Sequence, residues 1–263
     1  WKAPIETDDS RRCWGKYGLG RLLRHRDQPQ RVDYEGVPIE LPLRDPATLE
    51  SVADRSIAAK FATIAPVAES LVNNLEDPNG TRVSVVVGPT GTGKSTWIPY
   101  RILRSKIGVR GRICVTQPRL VTLRRETSAT KGDDNTTPGY IARELLRCPG
   151  IGAGQDMGVL YRGEPSQQYR DTRLLFVTDG ILIRWLTTGE IGQFDVVMID
   201  EAHEQSRNME LIFALLRYKL PLFPKLRVVI ASATVAVDKF QHYFGDGDPS
   251  RVFVAQPAEA ANT

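Results

Sequence analysis

From position 82 onward, apolar residues come in short unbroken runs, separated by longer stretches in which they recur at helical spacing. The runs at 83–87, 112–116, 174–178, 195–199, 227–231 and 251–254 read as strands. The amphipathic stretches near 95–106, 138–147, 180–187, 205–218 and 235–243 read as helices. A strand with one solvated face alternates apolar and polar residues, whereas one buried on both faces is apolar throughout. The pattern therefore predicts an α/β fold, a mostly parallel sheet covered by helices on both faces. Ligands on such sheets gather at the carboxyl ends of the strands, and every motif described below falls at such an end.

The chain divides near residue 80. Ile57, Ala58, Phe61, Ile64, Val67, Leu71 and Leu75 recur at helical spacing within 47–75, and Pro66 is expected to kink or split that segment. The turn Asp77-Pro78-Asn79-Gly80 stops it. Residues 1–45 are rich in Arg, Asp, Pro and Gly with little periodicity. Two units are expected: an N-terminal extension over 1–80, an irregular arm followed by a helical segment, and an α/β domain over 81–263. The polar stretch 127–139 reads as an exposed loop. No internal repeat is present.

Composition changes this picture little. At 263 residues with 41% hydrophobic content, the chain can bury a sizeable core. It holds no run of about 18 apolar residues, so no membrane partner is expected, and its N-terminus lacks the apolar stretch of a signal peptide. It begins with Trp and has no Met before Met157, which reads as a piece of a longer protein. The net charge of +4 permits nucleic-acid binding without requiring it. Arg11, Arg12, Arg21, Arg24 and Arg26 form a basic cluster that suits a phosphate backbone or simply solvent. Three separated cysteines, Cys13, Cys114 and Cys148, give neither a disulfide framework nor a zinc spacing. They fit a reducing, intracellular compartment: cytoplasm, nucleus or, for a viral chain, the infected-cell cytoplasm.

The chemistry starts at Gly88-Pro89-Thr90-Gly91-Thr92-Gly93-Lys94-Ser95, which fits G-x-x-x-x-G-K-[ST] directly after an apolar run. Glycines in such a loop let successive N–H groups converge on phosphate oxygens. Lys94 reaches the outer phosphates, Ser95 offers a hydroxyl to Mg²⁺, and the following helix presents its positive end. About a hundred residues later, Val196-Val197-Met198-Ile199 delivers Asp200-Glu201-Ala202-His203. Phosphoryl hydrolysis needs one carboxylate beside Mg²⁺ and a group to deprotonate water. Asp200 suits the first role and Glu201 the second. Ser232-Ala233-Thr234 follows a third apolar run; alone, that triplet is equally a helix cap.

The ordered set GPTGTGKST, TQPR, VTDG, DEAH and SAT resembles the first RecA-like domain of superfamily 2 helicases. Trp97-Ile98-Pro99, Met157-Gly158-Val159-Leu160-Tyr161-Arg162, Thr178-Asp179-Gly180-Ile181-Leu182, and Asp238-Lys239-Phe240 with Tyr243-Phe244-Gly245 are similar to the DEAH/RHA branch. The resemblance spans roughly 82–256 and implies a RecA-like P-loop NTPase fold. It implies that Gly88, Thr90, Gly91, Thr92, Gly93, Lys94, Ser95 and Thr96 bind ATP or another NTP. It implies Mg²⁺ on Ser95, Asp200 and Glu201, and catalysis by Glu201, Asp200, His203 and Lys94. Arg143 would stack on the base. Arg119, Arg162, Thr178 and Gly180 would face single-stranded RNA, with DNA as the alternative. Ser232 and Thr234 would couple the nucleotide state to a second RecA-like domain. Nothing in this chain resembles that domain's Q-R-x-G-R-x-G-R motif, so it is expected elsewhere in a parent protein. The implied activity is an ATP-dependent RNA helicase or translocase, weak in the isolated chain. A nucleotide-gated RNA clamp and a P-loop phosphotransferase are the competing readings. Oligomeric state is not readable from the sequence.

Overall fold

Strand residues dominated by Val, Ile and Leu lose little by being fixed in an extended backbone, and their branched side chains pack well across a pleated surface. In the computed structural model, which describes residues 61–117, 138, 141, 157–160, 172–204, 206–233 and 237–257, seven such segments pair into one sheet. They are β1 (Val83–Val87), β2 (Ile113–Thr116), β3 (Met157–Leu160), β4 (Leu174–Val177), β5 (Val196–Ile199), β6 (Arg227–Ser232) and β7 (Val252–Ala255). Their order across the sheet is β3-β4-β2-β5-β6-β1-β7, and every pair is parallel. The parallel architecture expected from the unbroken apolar runs, and with it the RecA-like fold that the resemblance implies, is the one observed. β3 is the strand that the runs did not reveal. It is four residues long with Gly158 inside it, and glycine weakens a strand signal.

Helices cover both faces. Among the described residues they are α1 (Ala65–Glu76), α2 (Lys94–Arg104), α3 (Lys106–Arg110), α4 (Asp179–Thr188), α5 (Arg207–Lys219) and α6 (Val237–Gly245). Successive strand side chains point to opposite faces, and this splits the core in two. Val86, Val115, Val196 and Met198 join α1 and α2 on one side. Val85, Cys114, Val197 and Ile199 join Leu182 and Trp185 of α4 and Ile212 and Leu216 of α5 on the other. Pro66 sits in the first turn of α1 and begins the helix, where its missing N–H has no intrahelical partner to lose. Among the described residues the helix thus starts at Pro66 instead of bending there, and positions 47–60 of the expected segment lie outside them. The amphipathic stretch at 95–106 also breaks, because Ser105 is extended and caps α3 through its hydroxyl. No described helix is long and apolar enough to cross a membrane. The stretches 1–60, 118–137 and 142–150 lie outside the described residues, and with them most of the arm, loop and helix expected there.

α1 belongs to the core although it precedes residue 80. Its Asn74 amide donates to the Thr81 carbonyl (3.3 Å), the Thr81 hydroxyl (3.2 Å) and the Ser84 hydroxyl (3.1 Å). Its Oδ1 accepts from the Thr81 N–H (3.0 Å). This side chain fixes the approach of α1 to β1. Asn74→Ala leaves those half-buried groups without partners and should lower unfolding stability by about 2 kcal/mol, read as a reduced urea midpoint. An unchanged midpoint would mean that α1 is held by its apolar face alone.

Candidate nucleotide site

All seven strands run the same way, so their carboxyl ends share one edge. β1 ends into the phosphate-binding sequence, and Gly88 N–H bonds back to the Ser232 carbonyl at 3.3 Å. Gly91 and Gly93 take the left-handed backbone (φ 81° and 99°) that glycine allows at little cost. Gly93 is the N-cap of α2, and its carbonyl accepts from the N–H groups of Thr96 (3.1 Å) and Trp97 (2.6 Å). The loop thus turns sharply and aims the amino end of α2 into a cleft of about 270 Å³. Gly91, Gly93, Lys94, Ser95 and Thr96 line that cleft, with Phe61 and Glu201 on its flanks.

Lys94 is buried, and its ammonium donates to the carbonyls of Gly88 (2.5 Å) and Pro89 (2.8 Å). Burial lowers its pKa, while the nearby Glu201 and Asp200 charges oppose that shift. The hydroxyl of Thr92 is bound to the Pro89 carbonyl at 2.9 Å and so stiffens the loop. Gly88 is buried in the wall of the turn, and Thr90 is exposed at its tip.

Asp200 ends β5, next to β2 on one side and β6 on the other. It is completely buried. Its Oδ2 accepts from the Gln117 amide (2.5 Å), its Oδ1 from the Glu201 N–H (3.0 Å), and its own N–H donates to the Thr116 hydroxyl (3.3 Å). Burial pushes its pKa up to about 6, opposed by the Ser95 hydrogen bond, raised further by Glu201 and opposed again by Glu201 N–H and Gln117. Ser95 and Asp200, on different elements, therefore meet directly. The donor set here is a hydroxyl and carboxylates, all hard oxygens and few in number. Among the described residues no group of three His, Cys, Asp or Glu side chains forms a metal cage. That combination suits Mg²⁺, which keeps waters and phosphate oxygens in its shell.

Glu201 has φ 52°, one of two non-glycine residues in the left-handed region among those described. The backbone strain sits at the residue expected to deprotonate water. His203 holds it from the far side: Nε2 lies 3.4 Å from Glu201 Oε2, while Nδ1 accepts from the Ala233 N–H at 3.3 Å. One imidazole thus joins the carboxylate at the end of β5 to the Ser232-Ala233 turn at the end of β6. Ser232 is fully buried.

Of the nucleic-acid candidates, Thr178 and Gly180 fall elsewhere on the same edge. Thr178 is the N-cap of α4, and a Cβ added at Gly180 would meet nothing within 4 Å. β4, which delivers them, lies four strand positions from β1, about 20 Å away at the usual spacing. Between them Asp179 is buried, and its Oδ1 accepts no hydrogen bond; burial and the neighbouring Glu204 raise its pKa. Arg119, Arg143, Arg162 and Thr234 lie outside the described residues. The residues overlooked from sequence are Gln117, Thr116 and Phe61. Gln117 stood in the quoted TQPR motif, and Thr116 pairs in register with Ile199, so both were one strand away from Asp200. Phe61 carried only a helical-periodicity signal.

No protein-family model matches the chain. It is 32% identical over 183 residues to the ATP-dependent RNA helicase HrpA of Escherichia coli (strain K12), covering 69% of this chain and 13% of HrpA. It is 33% identical over 165 residues to a Caenorhabditis elegans homolog of the ATP-dependent RNA helicase DHX35, covering 62% of this chain and 20% of that protein. Its fold is similar to that of the E. coli DEAH/RHA helicase HrpB, with a TM-score of 0.55 and 28% identity over 74% of this chain and 22% of HrpB. The chain spans a fifth or less of the length of those two sequence relatives.

Two substitutions test the strain and the burial. Glu201→Gly should be more stable than Glu201→Ala by about 1 kcal/mol, because only alanine keeps the left-handed cost; equal denaturation midpoints would place no strain there. Asp200 holds its proton more tightly folded (about 6) than free (3.8). Its contribution to stability is therefore complete below about pH 4 and lost as pH rises through about 6. Asp200→Asn abolishes that loss. In metal-free buffer the stability difference between variant and parent should shift in the variant's favour by about 2 kcal/mol between pH 4 and 7. Urea titrations across that range check it, and a pH-independent difference would contradict it.

Proposed function

We propose, for a chain that belongs to the DEAH/RHA-type superfamily 2 helicases, that it is the ATP-binding half of an ATP-dependent RNA helicase or translocase. The observation that carries this reading is that Lys94 and Ser95, from the phosphate loop, and Glu201, beside Asp200 at the end of β5, line one cleft. Two motifs about a hundred residues apart in sequence converge on one cleft with Glu201 beside them. Such convergence is what triphosphate hydrolysis needs.

In this reading the N–H groups of the loop and Lys94 bind the triphosphate. Ser95 and Asp200 would hold Mg²⁺, with Glu201 near, and the bound ion would screen charge on the phosphate oxygens. Glu201 takes the proton of the attacking water. His203 orients that carboxylate and passes a change in its position to the Ala233 backbone, and so to Ser232 and Thr234. Thr178 and Gly180, with Arg119 and Arg162, face the sugar-phosphate backbone of single-stranded RNA. Oxygen-directed contacts of this kind read no bases, so sequence preference should be weak. Arg143 stacks on the nucleotide base. A second RecA-like domain in the parent protein supplies arginine fingers, whose loss commonly costs about 10³ or more in rate. The isolated chain should accordingly hydrolyse ATP slowly.

The parent protein should hydrolyse ATP faster with single-stranded RNA present, and this chain should do so only weakly. Equal, RNA-independent hydrolysis by both would overturn the motor reading. ATP-gated RNA binding in the parent without strand separation would identify a clamp instead. Within the parent, Glu201→Gln should retain nucleotide binding and lose at least about 10² in turnover, whereas Lys94→Ala should weaken binding itself. Unchanged turnover in the Gln variant would remove Glu201 from the base role.

A further inference from the structure

Phe61 lies outside the stretch that resembles helicase motifs, yet it lines the cleft with the phosphate loop. Its ring is 8% exposed and stacks on Trp97, with centroids 4.9 Å apart and planes at 21°. Trp97 lies on the first turn of α2, three residues after Lys94. The ring also presses on the loop itself. A Cβ placed on Gly93 would sit 2.4 Å from Phe61 Cδ1 and 2.6 Å from Cε1. Gly93 is thus held between its own left-handed turn (φ 99°) and an aromatic edge.

The support behind Phe61 is independent of the loop. Its carbonyl accepts from the N–H groups of Ile64 (2.9 Å) and Ala65 (2.8 Å), which places the ring at the start of α1. α1 is fixed to the β1 approach by Asn74. A rigid path therefore runs from the core through α1 and Phe61 to the residue whose turn aims the N–H groups of the loop.

We propose that Phe61 is a positioning residue for the nucleotide, setting the conformation of the phosphate loop by backing Gly93 against Trp97. This rests on the nucleotide-binding reading of the cleft. A phenyl ring offers no hydrogen-bond group to a base. It acts through the loop, so its contribution is felt by the polyphosphate part of any NTP and carries no base preference.

The test compares the 263-residue chain with Phe61→Ala and Phe61→Leu, using Mg²⁺ with ATP, GTP and inorganic tripolyphosphate in calorimetric titrations, alongside urea unfolding. Phe61→Ala should weaken all three ligands by a similar factor of about ten, and Phe61→Leu, which keeps apolar bulk against Gly93, should recover most of it. In the parent protein the Ala change should raise KM with kcat altered much less. A loss confined to ATP and GTP, sparing tripolyphosphate, would make Phe61 a base contact and overturn the proposal. Unchanged affinities in a folded Ala variant would overturn it as well. A wild-type chain that binds none of the three would instead defeat the nucleotide reading of the cleft. If Phe61→Ala unfolds, the Leu variant and Phe61→Met decide: affinities that fall as contact with Gly93 is lost support the proposal, and affinities indifferent to the side chain refute it.

Discussion

The buried carboxylate of Asp200 is the point on which the site depends. It receives hydrogen bonds from the Ser95 hydroxyl on α2, from the Gln117 amide past β2 and from the Glu201 N–H. An ionised carboxylate out of water is costly unless such donors surround it. Here they come from separate elements, so satisfying one charge ties the phosphate helix, the centre of the sheet and the DEAH segment together. Even so, burial outweighs the donors and raises the pKa.

Lys94 shows the complementary imbalance. Its ammonium is buried among carbonyl oxygens of the loop it belongs to, and burial depresses its pKa. A cation held by neutral carbonyls and a carboxylate held by neutral donors thus lie near one another, Lys94 lining the cleft and Asp200 buried behind it. Polyphosphate with a divalent cation presents the opposite charge to each.

The geometry also gives strain and linkage a place. Glu201 holds an unfavourable backbone angle, and His203 spans from its carboxylate to Ala233. β5 and β6 are adjacent, so a small displacement at one strand end reaches the next through a single side chain. Thr178 and Gly180 sit on the β4 half of the same edge and the glycine-rich loop on the β1 half, with β5 between them.

The parallel α/β fold and the phosphate loop were legible in the sequence, because both are local signals. Strands buried on two faces must be apolar throughout, and a tight phosphate turn must have glycine where φ is positive. The order of the strands was not legible: the nearness of Thr116 and Gln117 to Asp200 is set by β2 pairing with β5, and periodicity carries no information about which strand neighbours which. β3 escaped for a related reason, being short and holding a glycine at a point where an added Cβ would crowd Leu175 and Thr172. The sequence by itself determined which residues could meet phosphate and metal. Tertiary packing alone decided that Asp200 would be buried deeply enough to shift its titration, that His203 would bridge two strand ends, and that Phe61 would back the loop. Burial and contact belong to the distances between segments, and those are fixed only when the sheet closes around its core.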